Sequence, residues 1–191
     1  HSPKPRQVGE QAMSDWRTVS LADVAEIIPG YAFKSEHFGN AGMPVVKIKD
    51  INPPYVNIEG AQKVDLAFYR KEKLAKYRLI KGDFIIAMTG ATIGKIGRLI
   101  DETQAILNQR VAKISPLPSV SGLYIYYNIL GKDFQDFIQN NLDSHSVQEN
   151  ISGTSVGRFS IRLPPFPEQR AIAGVLSSLD DKIDLFRRQN K

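Results

Sequence analysis

Asn52-Pro53-Pro54-Tyr55 is the stretch of this sequence that comes nearest to a catalytic motif. It fits the [DN]-P-P-[FYW] pattern with which adenine-N6 methyltransferases grip a base turned out of its stack. There, hydrogen bonds hold the exocyclic amine while the aromatic ring stacks on the base. Such chemistry needs a second part, a glycine-rich turn after a strand that holds S-adenosylmethionine in a large α/β sheet. Residues 89–97 are glycine-rich and follow an apolar run, but they lack an acidic-x-glycine-x-glycine character and do not fit G-x-G-x-x-G. Beyond the first dozen residues too little chain remains for a full cofactor domain. The tetrapeptide therefore reads as a proline turn, with an autonomous adenine-N6 methyltransferase as the alternative.

Other catalytic chemistry has less to build on. The histidines are His1, His37 and His145, and no H-E-x-x-H, G-x-S-x-G or P-loop pattern occurs. Asp180 and Asp181 stand beside lysine and arginine, as on a solvated helix face, whereas a Mg²⁺-dependent nuclease needs clustered carboxylates. The reading is of no catalytic residues, no metal and no cofactor. What remains is a set of basic, hydroxyl and amide side chains: Lys34 and Ser35; Lys47 and Lys49; Thr92, Lys95 and Arg98 around the glycine turn; Asn108-Gln109-Arg110; Ser155 and Arg158. Arginine, glutamine and asparagine make paired hydrogen bonds to guanine and adenine in the major groove. Lysine, serine and threonine more often hold phosphates and set register. The pattern points to nucleic acid, and each residue taken singly is equally compatible with an ordinary polar surface.

Bulk properties agree without deciding. The chain has 191 residues and a formal net charge of +5, with a pI near 9.4. That favours an acidic partner modestly. With 42% hydrophobic and 24% charged residues, the composition is that of a globular domain and not of a disordered chain. No apolar run approaches the ~20 residues of a membrane helix, so no membrane partner is expected. The absence of cysteine removes disulfides and thiolate metal sites and agrees with a cytoplasmic setting. The first twelve residues, HSPKPRQVGEQA, read as an appended tag or linker, with Met13 as a start.

These side chains need elements to position them. A short strand or turn and a brief helix capped by Ser20 are expected before Gly30, and a polar loop over residues 31–42. A strand over residues 43–49 would set Lys47 and Lys49 on one face, because successive side chains alternate. Residues 66–79 are helix-prone. The apolar run 84–88 is a buried strand, the glycine turn leads to a second strand ending near Ile100, and residues 105–114 form a third that includes Asn108-Gln109-Arg110. Residues 120–142 form one helix or two, with their aromatics in the core. A short strand, 158–163, precedes the last segment, where Pro167 takes the first helical position. Ile172, Leu176, Leu179, Ile183 and Phe186 recur at heptad spacing on a helix roughly 36 Å long.

Three stretches in this order resemble the specificity subunit of Type I restriction–modification systems: WRTVSLADVAEIIPG with GMPVVKIKDI, then KGDFIIAMTGATIGKIGRLI with LNQR, then SGTSVGRFSIRLPPFPEQ. The resemblance implies an α+β fold: a target-recognition domain with a mixed β-sheet, here residues 13–163, and a long coiled-coil spacer helix, residues 164–191. It implies a non-catalytic chain that reads one half of a bipartite double-stranded DNA site. Partner methyltransferase and restriction subunits would methylate adenine and cut, with S-adenosylmethionine bound by the former. A full specificity subunit carries two recognition domains, and this sequence has room for one. It is therefore either a half-subunit that homodimerises through the heptad seam and specifies a palindromic site, or a fragment.

Overall fold

The computed structural model describes residues 15–143 and 149–189. The expected tag, the Met13 start, His1 and His145 lie outside them. The chain order is β1 (Arg17–Ser20), α1 (Leu21–Val24), β2 (Ala25–Pro29), β3 (Phe38–Gly39), β4 (Met43–Val46), β5 (Ile51–Asn52), β6 (Tyr55–Val56), β7 (Lys63–Val64), α2 (Lys71–Leu74), β8 (Arg78–Leu79), β9 (Phe84–Ala87), β10 (Ile96–Leu99), β11 (Ala105–Leu107), β12 (Val111–Pro116), α3 (Gly122–Leu130), α4 (Lys132–Asn140), α5 (Gly153–Gly157), β13 (Ser160–Leu163) and α6 (Phe166–Gln189).

The apolar run at β9 explains the layering. All four residues are buried, so the strand is covered on both faces. Phe84 and Ile86 point to a core shared with Tyr124, Ile125 and Ile129 of α3 and with Phe134 and Ile138 of α4. Ile85 and Ala87 point the other way, to Val46, Leu79 and Leu107. β9 thus lies inside a six-stranded sheet, order β2-β12-β9-β10-β6-β5, and the second apolar layer belongs to a five-stranded sheet, order β3-β7-β4-β11-β8. The outer face of the five-stranded sheet carries a third core of Phe33, Val45, Val64, Leu74 and Ile106. β1 and β13 form a separate antiparallel ribbon. The fold is mixed α and β as expected, with its strands divided among three sheets.

Several local expectations are corrected by long-range pairing. The single strand over 105–114 is two: β11 pairs with β4 in one sheet and β12 with β9 and β2 in the other. Asn108-Gln109-Arg110 is the turn between them, closed by the Val111 N–H donating to the Asn108 carbonyl at 3.2 Å. The strand expected over 43–49 ends at Val46. There the buried Asp50 carboxylate accepts the Lys47 N–H at 2.8 Å and winds Ile48–Asp50 into a 3-10 turn, a side chain competing with the sheet for backbone. Lys47 and Lys49 therefore do not share a strand face. Residues 66–79 break into two 3-10 turns, the one-turn α2 and β8, because Arg78 and Leu79 pair with β11. The brief helix after Ser20 is a single turn, held by the Ser20 N–H on the Asp23 carboxylate at 2.8 Å. The chain then continues as β2 along β12.

Gly30 lets the chain leave β2 close against the 108–110 turn. A Cβ there would lie 1.9 Å from the Asn108 carbonyl oxygen, and the Gly30 and Tyr31 N–H groups donate to Val111 and Leu107 on either side of that turn, at 2.9 and 3.1 Å.

Residues 120–142 form two helices, with Tyr124, Tyr126 and Phe134 buried. The terminal helix α6 has 24 residues and begins at Phe166, so Pro167 is its second residue. The buried Gln169 fixes its start: its amide N–H donates to the Pro164 carbonyl and its oxygen accepts the Ser121 N–H, both at 2.9 Å. Trp16 donates to Glu168 at 3.2 Å and the Tyr127 hydroxyl to Asp180 at 2.8 Å. Burial, helped by that carboxylate, pushes the Tyr127 hydroxyl up to about 12, which keeps it a donor at neutral pH. Ile172 packs against the core that includes Tyr124, and Leu176, half-buried, lines a cleft with Trp16, Tyr124 and Tyr127. Past them the heptad seam is open, with Leu179, Ile183 and Phe186 at 50%, 46% and 61% exposure.

Gly30→Ala is expected to cost about 1–3 kcal/mol by overpacking the sheet crossing, read from urea unfolding monitored at Trp16. Gln169→Ala leaves the part-buried Ser121 N–H and the buried Pro164 carbonyl without these partners. It is expected to cost a further ~1–3 kcal/mol, measured the same way.

Candidate nucleic-acid interface

The six-stranded sheet has one end where β2, β5 and β9 finish and β6, β10 and β12 begin, which follows from the antiparallel order and the parallel pairing of β10 with β6. Four connections meet there: the exit from β2 at Gly30 and Tyr31, and residues 53–54, 88–95 and 108–110. Of the residues singled out in the sequence, Thr92, Lys95 and Asn108-Gln109-Arg110 sit in them, with Thr92, Gln109 and Arg110 exposed and Lys95 and Asn108 half-buried.

The glycine turn is shaped by its packing. Gly94 has φ +83°, and a Cβ would press to 3.1 Å from Ile138. The Gly94 carbonyl accepts the Gln135 side-chain N–H at 3.1 Å. Between this turn, the 53–54 hairpin and helices α3 and α4 lies a groove of about 400 Å³, lined by Pro53, Thr92, Lys95, Leu130 and Gln135 over Ile93 and Ile96. Gln135 was not legible as a site residue, since only the tertiary fold brings α4 to the turn.

Ser155 and Arg158 follow a segment tied to this end and lie on and at the end of a helix that runs along β2 toward Ala22. The Ile151 N–H donates to Met88 O, at the start of the glycine turn, at 3.0 Å. Ser152 then caps α5 through the Ser155 N–H at 3.0 Å. The Arg158 guanidinium donates to the Ser155 hydroxyl at 3.0 Å, so these two residues form one local cluster.

Lys47 reaches the same boundary from the other sheet, because the Asn108 N–H donates to the Val46 carbonyl at 3.1 Å. Its ammonium is partly committed: it lies 4.2 Å over the Phe38 ring and donates to Gln62. Burial, and secondarily Lys49, lower its pKa. Lys49 is exposed. Lys34 and Ser35 belong to the layer outside the five-stranded sheet, where Lys34 is 3.6 Å from Glu36 and its N–H donates to the Tyr69 hydroxyl at 3.1 Å. Arg98 is half-buried, with its guanidinium 5.7 Å from the Tyr126 ring centre. The candidate residues are thus not one patch. Thr92, Lys95 and Arg110 are brought to one end, Ser155 and Arg158 form a separate cluster at α5, Lys47 borders the end, Lys34 and Ser35 are elsewhere, and Arg98 packs inward.

Asn52-Pro53-Pro54-Tyr55 is the turn of the β5–β6 hairpin. The Pro54 carbonyl is bound into the fold by the Arg98 N–H at 2.9 Å and the Tyr126 hydroxyl at 2.8 Å. The glycine turn joins two antiparallel strands, whereas a glycine-rich cofactor loop leads from a strand into a helix N-terminus. The glycine turn thus lacks the strand-to-helix form of such a loop, and Asn52-Pro53-Pro54-Tyr55 is tied down as a hairpin turn. Among the described residues no group of three or more histidine, aspartate or glutamate side chains could hold a metal ion, and no helix is long and apolar enough to cross a membrane.

Residues 13–191 match the family model described as the Type I restriction modification DNA specificity domain. The chain is 29% identical over 196 residues to the Type I restriction enzyme MjaVIII specificity subunit of Methanocaldococcus jannaschii, covering 98% of this chain and 44% of that protein. It is 29% identical over 171 residues to the Type I restriction enzyme EcoBI specificity subunit of Escherichia coli, covering 88% of this chain and 33% of that protein. The chain therefore spans less than half the length of these relatives. Its fold is similar to the crystal structure of the HsdS subunit from Thermoanaerobacter tengcongensis, with a TM-score of 0.65 at 19% identity over 100% of this chain and 42% of that one. With the family model covering nearly every residue from Met13 onward, this chain belongs to the family of Type I restriction–modification DNA specificity domains.

Proposed function

We propose that this chain is a non-catalytic reader of DNA sequence, one target-recognition domain over residues 13–163 that reads one half of a bipartite site. Residues 164–191 act as the spacer helix through which it pairs with a second unit and docks the methyltransferase and restriction subunits. Adenine methylation and cleavage belong to those partners, and S-adenosylmethionine to the methyltransferase subunit. The observation that carries the reading is the family match over residues 13–191. It is supported by the end of the six-stranded sheet where Thr92, Lys95 and Arg110 come together on short connections. Turns anchored in a rigid sheet are suited to reading base edges, because hydrogen-bonded readout requires donors held in place.

Within this reading Arg110 is the base reader, since it is exposed on a closed turn and guanidinium pairs bidentately with guanine. Lys95, Thr92, Ser155 and Arg158 hold phosphates. DNA selection with the chain, alone and with the methyltransferase subunit, should yield one half-site sequence, repeated as an inverted pair where two copies bind together. Arg110→Gln should relax preference at a single base position by about 1–3 kcal/mol. Lys95→Gln should weaken all sequences alike and lower the slope of log affinity against log salt by ~0.9. Selection unchanged by Arg110→Gln together with a salt slope unchanged by Lys95→Gln would remove this end of the sheet from the interface.

The open half of the heptad seam supports pairing. Burying side chains such as Leu179, Ile183 and Phe186 contributes on the order of 1.5–3 kcal/mol each, and antiparallel pairing of two copies as a coiled coil would cover them while placing two recognition domains at opposite ends. Sedimentation should show a dimer of the wild type at micromolar concentration and a monomer for Leu179→Asp/Ile183→Asp. A monomeric wild type would reject self-association, and a dimer that survives the double substitution would put the interface elsewhere.

A further inference from the structure

Residues 66–77, the helix-prone segment that the interface above leaves unused, lie on the outer face of the five-stranded sheet. Four of their apolar side chains turn inward: Leu74 is 1% exposed, and Leu66, Tyr69 and Tyr77 pack on the same core. What they leave outside is strongly basic. Arg70, Lys71, Lys73 and Lys76 are all exposed, with Glu72 the one carboxylate in residues 70–76. Among the described residues none of these four cations is in an ion pair, although Lys34, Lys81, Lys113 and Lys132 elsewhere are.

Beside them stands Phe68, 62% exposed. Its ring is stacked on His37 at 4.2 Å and 12°, and His37 is held in turn by the Tyr69 hydroxyl at 2.7 Å. The phenyl group is backed on one face by a fixed imidazole, which gives it a defined orientation despite its exposure. Exposed cations outside any ion pair, next to a rigid outward aromatic ring, make the chemistry of a surface that holds a phosphate backbone and presses an apolar side chain against a base step.

We propose that residues 68–76 are a second DNA-contacting surface, in which Arg70, Lys71, Lys73 and Lys76 hold phosphates of the duplex and Phe68 acts as a wedge at a base step. This rests on the DNA-reading role proposed above. The surface extends the DNA footprint beyond the turn end of the six-stranded sheet, and it lies against the 31–38 loop, so Lys34 extends the same basic rim.

The test uses the full chain and the duplex selected by the wild type. Arg70→Gln/Lys71→Gln/Lys73→Gln/Lys76→Gln should flatten the salt dependence by ~0.9 in slope for each phosphate that the variant no longer neutralises, while exchanging arginine and lysine at the same four positions should retain it. With 2-aminopurine placed in turn at each position of that duplex, the wild type should raise fluorescence at one step by unstacking it, and Phe68→Ala should abolish the rise without changing the slope. A quadruple variant with native melting and an unchanged slope, or a wild type that unstacks no position, overturns the proposal and leaves the DNA-reading role standing. A quadruple variant that keeps the DNA slope but no longer binds the methyltransferase subunit also overturns it, assigning the surface to a protein partner. A wild type that selects no sequence, alone or with that subunit, overturns the reading role itself and this surface with it.

Discussion

Between Leu107 and Val111 the chain passes from one sheet into the other, and most of the domain is organised around that passage. The Asn108 N–H is taken by β4, its carbonyl by Val111, and the flanking Leu107 and Val111 carbonyls by Tyr31 and Gly30. Three segments distant in sequence are thereby tied at one point, and the two sheets meet across a shared apolar layer of Val46, Ile85, Ala87, Leu107 and Val111. Close packing leaves little slack there, as the 1.9 Å approach of a Gly30 Cβ to Asn108 O indicates. The polar turn emerges at the edge of a rigid joint, so the position of Arg110 is set by backbone hydrogen bonding and not by the side chains around it.

Sequence made some of this plain. The run at 84–88 is apolar without alternation, which signals burial on both faces, and that is how β9 is used. The helical stretch over 120–142 and the terminal helix followed from their spacing. What sequence could not reveal was pairing. Residues 105–114 are uninterrupted in strand propensity except for Asn108-Gln109-Arg110, and nothing local says that the two halves join different sheets. Residues 66–79 favour helix in isolation, but two of them complete an edge of the five-stranded sheet, and tertiary pairing outweighs propensities of tenths of a kcal/mol per residue. For the candidate site the residue types were legible and their grouping was not. Arg98 looked like a surface cation and lies over Tyr126, whereas Gln135 carried no signal and lines the groove beside Lys95.

The heptad seam of the terminal helix is one pattern in sequence with two fates in space. Ile172 packs against the domain and Leu176 lines a cleft on it, whereas Leu179, Ile183 and Phe186 are exposed. A regular repeat cannot distinguish these uses, because both ask for apolar side chains at the same spacing. The difference comes from where the domain ends along the helix.

The polar contacts at Gln169, Glu168 and Asp180 span about half of that helix. Helix and domain therefore turn together, and the free half behaves as a lever whose fulcrum is built into the fold. From Asp180 to Gln189 that half is ~14 Å long, so a tilt of about 10° would carry its tip by roughly 2 Å. An angular change at the fulcrum is therefore carried outward undiminished and is largest at the tip. One buried and three part-buried hydrogen bonds hold that direction, so the orientation of the outer half is decided by the domain and not by the outer half itself.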